Sequence, residues 1–146
     1  MIEAQGLGRR FRRLEAVRDL NLEVAPGEVF GFLGPNGAGK TTTVRMLAGL
    51  IPPSAGRAAV AGLRVGAENA AIRRRVGVLT ETPGLYDKLS AQHNLAFYAR
   101  LHGVPDPARR IEAQLVELGL WDRRRDPVGR FSKGMRQKVA IARALL

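Results

Sequence analysis

The segment from Gly34 to Thr41, GPNGAGKT, has the residue types and spacing of a loop that binds phosphate groups. It matches the pattern G-x-x-x-x-G-K-[ST], whose glycines let the backbone fold into a cradle of inward-pointing N–H groups. Lys40 places an ammonium on the β- and γ-phosphates, and Thr41 offers a hydroxyl to the Mg²⁺ that bridges them. The pattern predicts a site for a nucleoside triphosphate with Mg²⁺. The residues expected to bind it are Gly34, Pro35, Asn36, Gly37, Ala38, Gly39, Lys40, Thr41 and Thr42.

A strand before this loop and a helix after it are the elements that must hold the cradle in place. EVFGFLG, residues 28 to 34, is a continuous apolar run, which is typical of a strand buried on both faces of a parallel sheet. KTTTVRMLAGL, residues 40 to 50, has a helical pattern. The N-terminus of that helix adds a positive partial charge of about half a unit. This context favours a phosphate-binding loop over a glycine-rich turn that contains a lysine by chance.

The rest of the chain predicts an α/β domain in two parts. Residues 1 to 24 and 56 to 65 predict short strands, residues 67 to 76 a short helix, and VGVLTET, which ends at residue 82, a further apolar strand.

After the turn at Pro83-Gly84 the pattern becomes helical. Ser90 is expected to cap a helix that Gly103 ends, and Asp106-Pro107 to cap and begin the next. We therefore predict a P-loop and β-rich part over residues 1–82 and a helical part over 83–146.

Composition and charge limit the classes of protein to which the chain can belong. The chain has 146 residues and a formal net charge of +11, and its arginines occur in clusters. Such a field favours nucleic acid, an anionic membrane surface or nucleotide phosphates, although solvated arginine-rich faces explain it equally well. The absence of cysteine excludes disulfides and fits a reducing cytoplasm. Neither a secretory signal nor a membrane-spanning segment is expected from the sequence.

Four stretches together resemble the nucleotide-binding subunit of an ATP-binding cassette (ABC) transporter, over essentially the whole chain. They are residues 9–62, the GPNGAGKTT form of the loop within them, VGVLTETPGLYDKLSAQHNL and FSKGMRQKVAIARALL. The resemblance implies a P-loop NTPase fold with a helical subdomain, and ATP and Mg²⁺ as ligands. It places Phe11 where the family stacks an aromatic ring on adenine; the alternative role of Phe11 is a strand contact.

The signature loop of the family corresponds here to FSKGM, in which Ser132 and Gly134 match the usual LSGGQ. The resemblance implies that this loop clamps ATP held by the P-loop of a second, head-to-tail subunit; the alternative for Ser132 is an ordinary helix cap. Lys133 departs from the usual glycine and either attracts the γ-phosphate or faces solvent. Glu81 stands where the family has a glutamine near Mg²⁺, the alternative being a surface acid.

The ending of the sequence also departs from the family pattern. An apolar strand ending in Asp-Glu, the Walker B element, is expected soon after ARALL and is not found, and His93 and His102 cannot substitute for it by motif. We therefore expect a fragment truncated before Walker B, with no catalytic residue of its own and negligible hydrolysis alone.

The resemblance implies the ATP-binding subunit of an exporter, at the cytoplasmic face of the membrane. Its partners would be ATP, a second nucleotide-binding subunit and a separate membrane-spanning permease, which the helix around GLYDKLSAQHNL would face. The TETPGLY and FSKGM variants favour export, of drugs, lipids or polysaccharide. Two alternatives stay open: a soluble ABC-fold ATPase that acts on nucleic acid, which the compact cassette opening disfavours, and a non-functional fragment.

Overall fold

The computed structural model describes residues 1–80 and 82–146. These residues form two compact units, Met1–Val76 and Gly77–Leu146. No helix in the described ranges combines the length and the apolar character that a membrane crossing requires.

The first unit contains a four-stranded antiparallel sheet. Its strands are β1 (Ile2–Phe11), β2 (Leu14–Val24), β3 (Ala55–Val60) and β4 (Leu63–Arg64), and their spatial order is β2-β1-β3-β4. The strands predicted before residue 24 and over residues 56–65 are thus confirmed. Alternating apolar residues place one face of the sheet in the core, as period-two patterning requires.

Two helices cover the core face of this sheet, α1 (Lys40–Leu47) and α2 (Asn69–Arg73), and both confirm sequence predictions. Met46 of α1 and Ile72 of α2 are fully buried with Leu7 of β1 in one cluster. Because each such side chain contributes roughly 1.5–3 kcal/mol when fully buried, this cluster fixes α1 against the sheet. The phosphate-binding loop is therefore attached to a packed helix.

The buried strand predicted for residues 28–34 is wrong for this structure. These residues belong to no strand, and the side chains of Val29 and Leu33 are 98% and 92% exposed. The described residues 76 to 80 of the strand predicted over VGVLTET also lie outside any strand. A parallel strand requires hydrogen-bonded neighbours, and within residues 1–80 and 82–146 neither segment pairs with one. The apolar pattern gives these segments a propensity for β-strand, but a strand forms only where a neighbouring strand pairs with the segment.

The second unit is helical, with α3 (Ala91–Leu101), α4 (Pro107–Glu117), α5 (Lys133–Ala144) and two short 3₁₀ turns between the last two helices. Leu95, Leu115, Val128 and Val139 are fully buried at its centre. The helices predicted after Ser90 and Pro107 and at the end of the chain are confirmed.

Two predicted helix caps have different outcomes. Ser90 caps α3, because its hydroxyl oxygen accepts the N–H of His93 at 3.2 Å. Asp106 is the N-cap residue of α4, as predicted, but it has a left-handed conformation (φ 47°) and its carboxylate accepts no capping hydrogen bond from the described residues. Pro107 is the first residue of α4, and its preset φ favours the start of a helix.

Candidate functional site

The phosphate-binding loop leads directly into α1. Gly37 and Gly39 have φ values of 83° and 82°, a conformation that residues with a Cβ rarely adopt. The N–H of Thr43 donates to the carbonyl of Gly39 at 2.8 Å, which closes the first turn of the helix. The glycines of the pattern thus turn the chain so that the loop faces the start of α1.

Lys40 is the first residue of α1, and its ammonium lies across the loop. Its Nζ donates to the carbonyl oxygens of Gly34 at 2.6 Å and Pro35 at 2.7 Å. In the described part of the chain, the first turn of α1 carries no acidic residue and its N–H groups receive no side-chain cap. An uncapped helix N-terminus beside a cation attracts an anion, and the donor set fits the phosphates of a nucleotide.

Gly39 also anchors the loop to the sheet. A Cβ at this position would lie 2.3 Å from the carbonyl oxygen of Ala16 and 3.0 Å from Cγ2 of Val17, both in β2. Only glycine lets the backbone approach a strand so closely. The motif identified Gly39 as part of a cradle, whereas its contact with β2 could not be read from the sequence.

Phe11 is the last residue of β1, and the residue is 40% exposed. In the ladder between β1 and β2, Phe11 faces Leu14 and Arg9 faces Val17, the residue that also packs beside Gly39. The structure therefore connects Phe11 and the phosphate-binding loop through one strand, β2. The guanidinium of Arg9 lies over the Phe11 ring, with Cζ 4.6 Å from the ring centroid.

The metal ligands suggested by the sequence are only partly described. Thr41 lies exposed in the first turn of α1, and Thr42 is half-buried. Glu81 lies outside the described residues. Of the histidines, His93 has its Nδ1 2.9 Å from Ser90 Oγ at the start of α3, and His102 follows the end of that helix.

The loop that resembles the family signature forms the start of α5 in the second unit. Ser132 is the N-cap, and its Oγ accepts the N–H of Met135 at 3.3 Å. A hydroxyl that accepts in a cap still has its own hydrogen to donate, so capping and phosphate binding are compatible. Lys133 and Gly134 are exposed, and within the described ranges no heavy atom lies within 4 Å of the position that a Cβ on Gly134 would occupy.

An ion pair that sequence reasoning missed holds this loop in place. The guanidinium of Arg136 in α5 lies 2.7 Å from the carboxylate of Asp87 and donates to the carbonyl of Val128 at 3.3 Å. The N–H of Gly129 in turn donates to the carbonyl of Asp87 at 3.0 Å. Because these residues are far apart in the sequence, no local pattern indicated that they meet.

The buried side chain of Asn94 fixes the segment before α3. Its Oδ1 accepts the N–H of Tyr86 at 2.8 Å, and its Nδ2 donates to the carbonyls of Tyr86 at 3.1 Å and Ser90 at 3.0 Å. A buried side-chain amide whose oxygen and nitrogen both make hydrogen bonds holds the segments that it joins rigidly. This residue also escaped the sequence analysis, since an isolated asparagine in a helix carries no signal.

A glycine-rich loop with a lysine at the start of a helix, packed on a sheet, defines a P-loop nucleotide-binding domain. The profile of the family described as "ABC transporter" matches residues 17–146. The chain belongs to this family.

Individual relatives agree with the family assignment. The chain is 46% identical to the ABC transporter ATP-binding protein NatA of Bacillus subtilis, over 100% of this chain and 62% of that protein. It is 40% identical to the bacitracin transport ATP-binding protein BcrA of Bacillus licheniformis, over 100% of this chain and 47% of that protein. A solved ATP-binding subunit of an ABC transporter superposes with a TM-score of 0.80 at 32% identity, over 97% of this chain and 60% of the other.

These comparisons confirm the P-loop NTPase fold that the resemblance implied. They also show that the chain spans 47% to 62% of the length of the two relatives. The phosphate, base, metal and signature contacts assigned above stay predictions.

Proposed function

We propose that this chain is the ATP-binding part of an ABC exporter and that its P-loop holds Mg-ATP. The observation that carries the proposal is the position of Lys40, whose ammonium lies across the loop at the uncapped N-terminus of α1. Backbone N–H groups of residues 36–42 would bind the phosphates, and Thr41 would hold Mg²⁺. Glu81, to which the resemblance gives a role near Mg²⁺, lies outside the described residues. Phe11 would stack on the adenine ring. Loss of Mg-ATP binding in Lys40→Ala, described in the Discussion, tests this proposal.

The second element of the proposal is a dimer in which Ser132 and Gly134 clamp ATP held by another subunit. The Ser132 hydroxyl is exposed and keeps a hydrogen to donate. Gly134 occupies an open position inside a helix, where glycine costs roughly 0.5–1 kcal/mol relative to alanine. No contact in the described part of the chain requires a glycine there, so a close approach by a partner is the proposed reason for it.

Replacing Gly134 with alanine is expected to have opposite effects on folding and on assembly. The free energy of unfolding should rise by roughly 0.5–1 kcal/mol, because alanine restricts the unfolded chain and favours the helix. Dimerisation in Mg-ATP should weaken, since the added methyl group occupies the proposed contact. Urea denaturation and analytical ultracentrifugation measure the two effects. A variant with unchanged or stronger dimerisation, or a wild-type chain that stays monomeric in Mg-ATP, would contradict the clamp.

The third element is a docking site for the membrane-spanning partner on α3. A groove of about 640 Å³ runs along this helix, lined by Leu89, His93, Ala96, Phe97, Arg100 and Leu101. The ring of Tyr86 packs edge-on against the ring of Phe97, with 5.1 Å between the ring centroids. The backbone N–H of Tyr86 donates to Oδ1 of Asn94, which fixes this segment. An exposed apolar groove on a rigid support suits the apolar face of a helix. We propose that it receives a helix of the permease, which would hold the chain at the cytoplasmic face of the membrane.

Replacing Phe97 with aspartate is expected to release the chain from membranes of its own host while leaving the fold intact. A charge in the groove must lose its hydration on docking, so the bound fraction should fall several-fold. Val116→Asp is the matched control, because Val116 is also exposed (55%) but lies on α4 outside the groove. Co-sedimentation with host membranes and with protein-free lipid vesicles measures both variants. Equal retention of the two variants, or wild-type binding to the lipid vesicles alone, would count against a protein partner here.

The direction of transport is also a proposal. It is based on the resemblance of TETPGLY and FSKGM to exporter variants, and one relative is named for bacitracin transport. The alternative that the arginine clusters bind nucleic acid is weakened because several arginines are used within their own unit. Arg73 and Arg75 donate to backbone carbonyls, and Arg123 pairs with Asp126. A steep loss of DNA or RNA affinity with rising salt would restore that alternative.

A further inference from the structure

We propose that Arg9 is a positioning residue for the nucleotide base: it covers one face of the Phe11 ring and leaves the opposite face for adenine. This inference rests on the proposed function, in which Phe11 stacks on the base of ATP. The resemblance that suggests Phe11 assigns no role to Arg9.

The two side chains stack at the end of β1. Arg9 and Phe11 are two residues apart in a strand, a spacing that places side chains on the same face. The Cζ atom of Arg9 lies 4.6 Å from the centroid of the Phe11 ring, which is within cation–π range. A guanidinium over one face of the ring blocks that face, so only the opposite face of Phe11 stays available for a base.

The guanidinium of Arg9 is itself fixed. Its Nη1 donates to the carbonyl oxygen of Pro52 at 2.8 Å. Its Nε is buried, and no described residue offers it an acceptor. Arg9 as a whole is half-buried, whereas its neighbours Arg10 and Arg12 are exposed. Burying an arginine N–H that makes no hydrogen bond lowers the stability of the fold, and an exposed arginine would avoid this loss. A role in orienting Phe11 explains why Arg9 is nevertheless half-buried.

The same residues connect the Phe11 ring to the phosphate-binding part of the unit. Pro52 belongs to the segment that follows α1, the helix that begins at Lys40. Two residues after Pro52, Ser54 donates its N–H to the carbonyl of Gly8 at 2.8 Å, and its Oγ accepts the N–H of Arg10 at 3.2 Å. These hydrogen bonds attach the end of β1 to the segment that follows α1. Because Arg9 is hydrogen-bonded to that segment and contacts the ring of Phe11, it holds the ring in a fixed position.

The experiment compares two ligands that share the phosphate site and differ in the base. Mg-ATP uses both the phosphate loop and Phe11, whereas inorganic Mg-tripolyphosphate uses the loop alone. Calorimetric titration of the full chain should show that Arg9→Gln weakens Mg-ATP roughly 5- to 10-fold, the loss of one stacking contact, and leaves tripolyphosphate within about twofold. Arg9→Lys keeps the charge but loses the planar guanidinium group, so it should weaken Mg-ATP binding as Arg9→Gln does.

Two controls separate positioning from charge and from folding. Arg10→Gln removes the same charge from an exposed neighbour and should leave both affinities unchanged. In the Phe11→Ala background, Arg9→Gln should cause no further loss of ATP affinity, because the two residues act as one unit. Thermal unfolding followed by circular dichroism checks that each variant folds.

The possible outcomes separate the role of Arg9 from the proposal that Phe11 stacks on the base of ATP. If wild-type chain binds ATP no more tightly than tripolyphosphate, Phe11 has no base to stack on, and both the base site and the role of Arg9 are overturned. If wild type prefers ATP and Arg9→Gln keeps that preference, the inference about Arg9 alone is wrong. A parallel loss of both ligands in Arg9→Gln would show that Arg9 acts on the phosphates as a charge, which also contradicts positioning.

Discussion

Replacing Lys40 with alanine is expected to weaken Mg-ATP binding by about 100-fold or more, which corresponds to about 2.8 kcal/mol. The ammonium supplies charge-assisted hydrogen bonds, each worth roughly 1.5–3 kcal/mol, and it lies across the loop at the carbonyls of Gly34 and Pro35. Isothermal titration calorimetry with Mg-ATP measures the change directly.

The control for charge is Lys88→Ala, which removes the same charge from an exposed lysine in the second unit. This variant should bind Mg-ATP as wild type does. Since Lys40 also donates to two carbonyls of its own loop, the melting temperature of Lys40→Ala must be compared with that of wild type. A folded Lys40→Ala chain that retains wild-type affinity would refute the role assigned to this residue.

Replacing Gly39 with alanine is expected to destabilise the first unit by about 3 kcal/mol or more. Two costs combine: the left-handed backbone (φ 82°), which costs roughly 1–2 kcal/mol, and the clash of the new Cβ with the carbonyl of Ala16, at 2.3 Å. The loop must then move away from β2, and Mg-ATP binding should be lost with it. The midpoint of urea denaturation measures the loss of stability.

Gly37 provides the matched control for this substitution. Its φ of 83° is almost the same, but in the described part of the chain no heavy atom lies within 4 Å of the position that its Cβ would occupy. Gly37→Ala should therefore cost only the backbone term, roughly 1–2 kcal/mol. Equal losses at the two positions would show that the contact between Gly39 and β2 contributes nothing to stability.

The features that the sequence predicted well are those with local causes. The left-handed turns at Gly37 and Gly39, the helix that begins at Lys40 and the cap at Ser90 all depend on residues within a few positions of one another. The sequence predicted the cap at Ser132 only as the alternative to its phosphate-binding role. Their physical causes, a preferred φ or a hydroxyl that accepts an N–H two or three residues on, are carried by the segment itself.

The features that it failed to predict depend on residues far apart in the chain. EVFGFLG has the composition of a buried strand, yet a strand exists only where a neighbour pairs with it, and composition does not reveal the neighbour. The stacking of Arg9 on Phe11 and the anchoring of Arg9 by Pro52 are of the same kind. The ion pair of Asp87 with Arg136 likewise appears only once α5 has packed in the second unit.

A titration of the ¹⁵N-labelled chain with Mg-ATP, followed by NMR, tests directly whether the P-loop holds the nucleotide. If the P-loop holds the nucleotide, the amide resonances of residues 36–42 should shift first and most, because these N–H groups would bind the phosphates. The same titration with Lys40→Ala should leave them in place at equal nucleotide concentration. Resonances of the loop that stay unchanged at saturating Mg-ATP, or shifts confined to other parts of the chain, would contradict nucleotide binding at the P-loop.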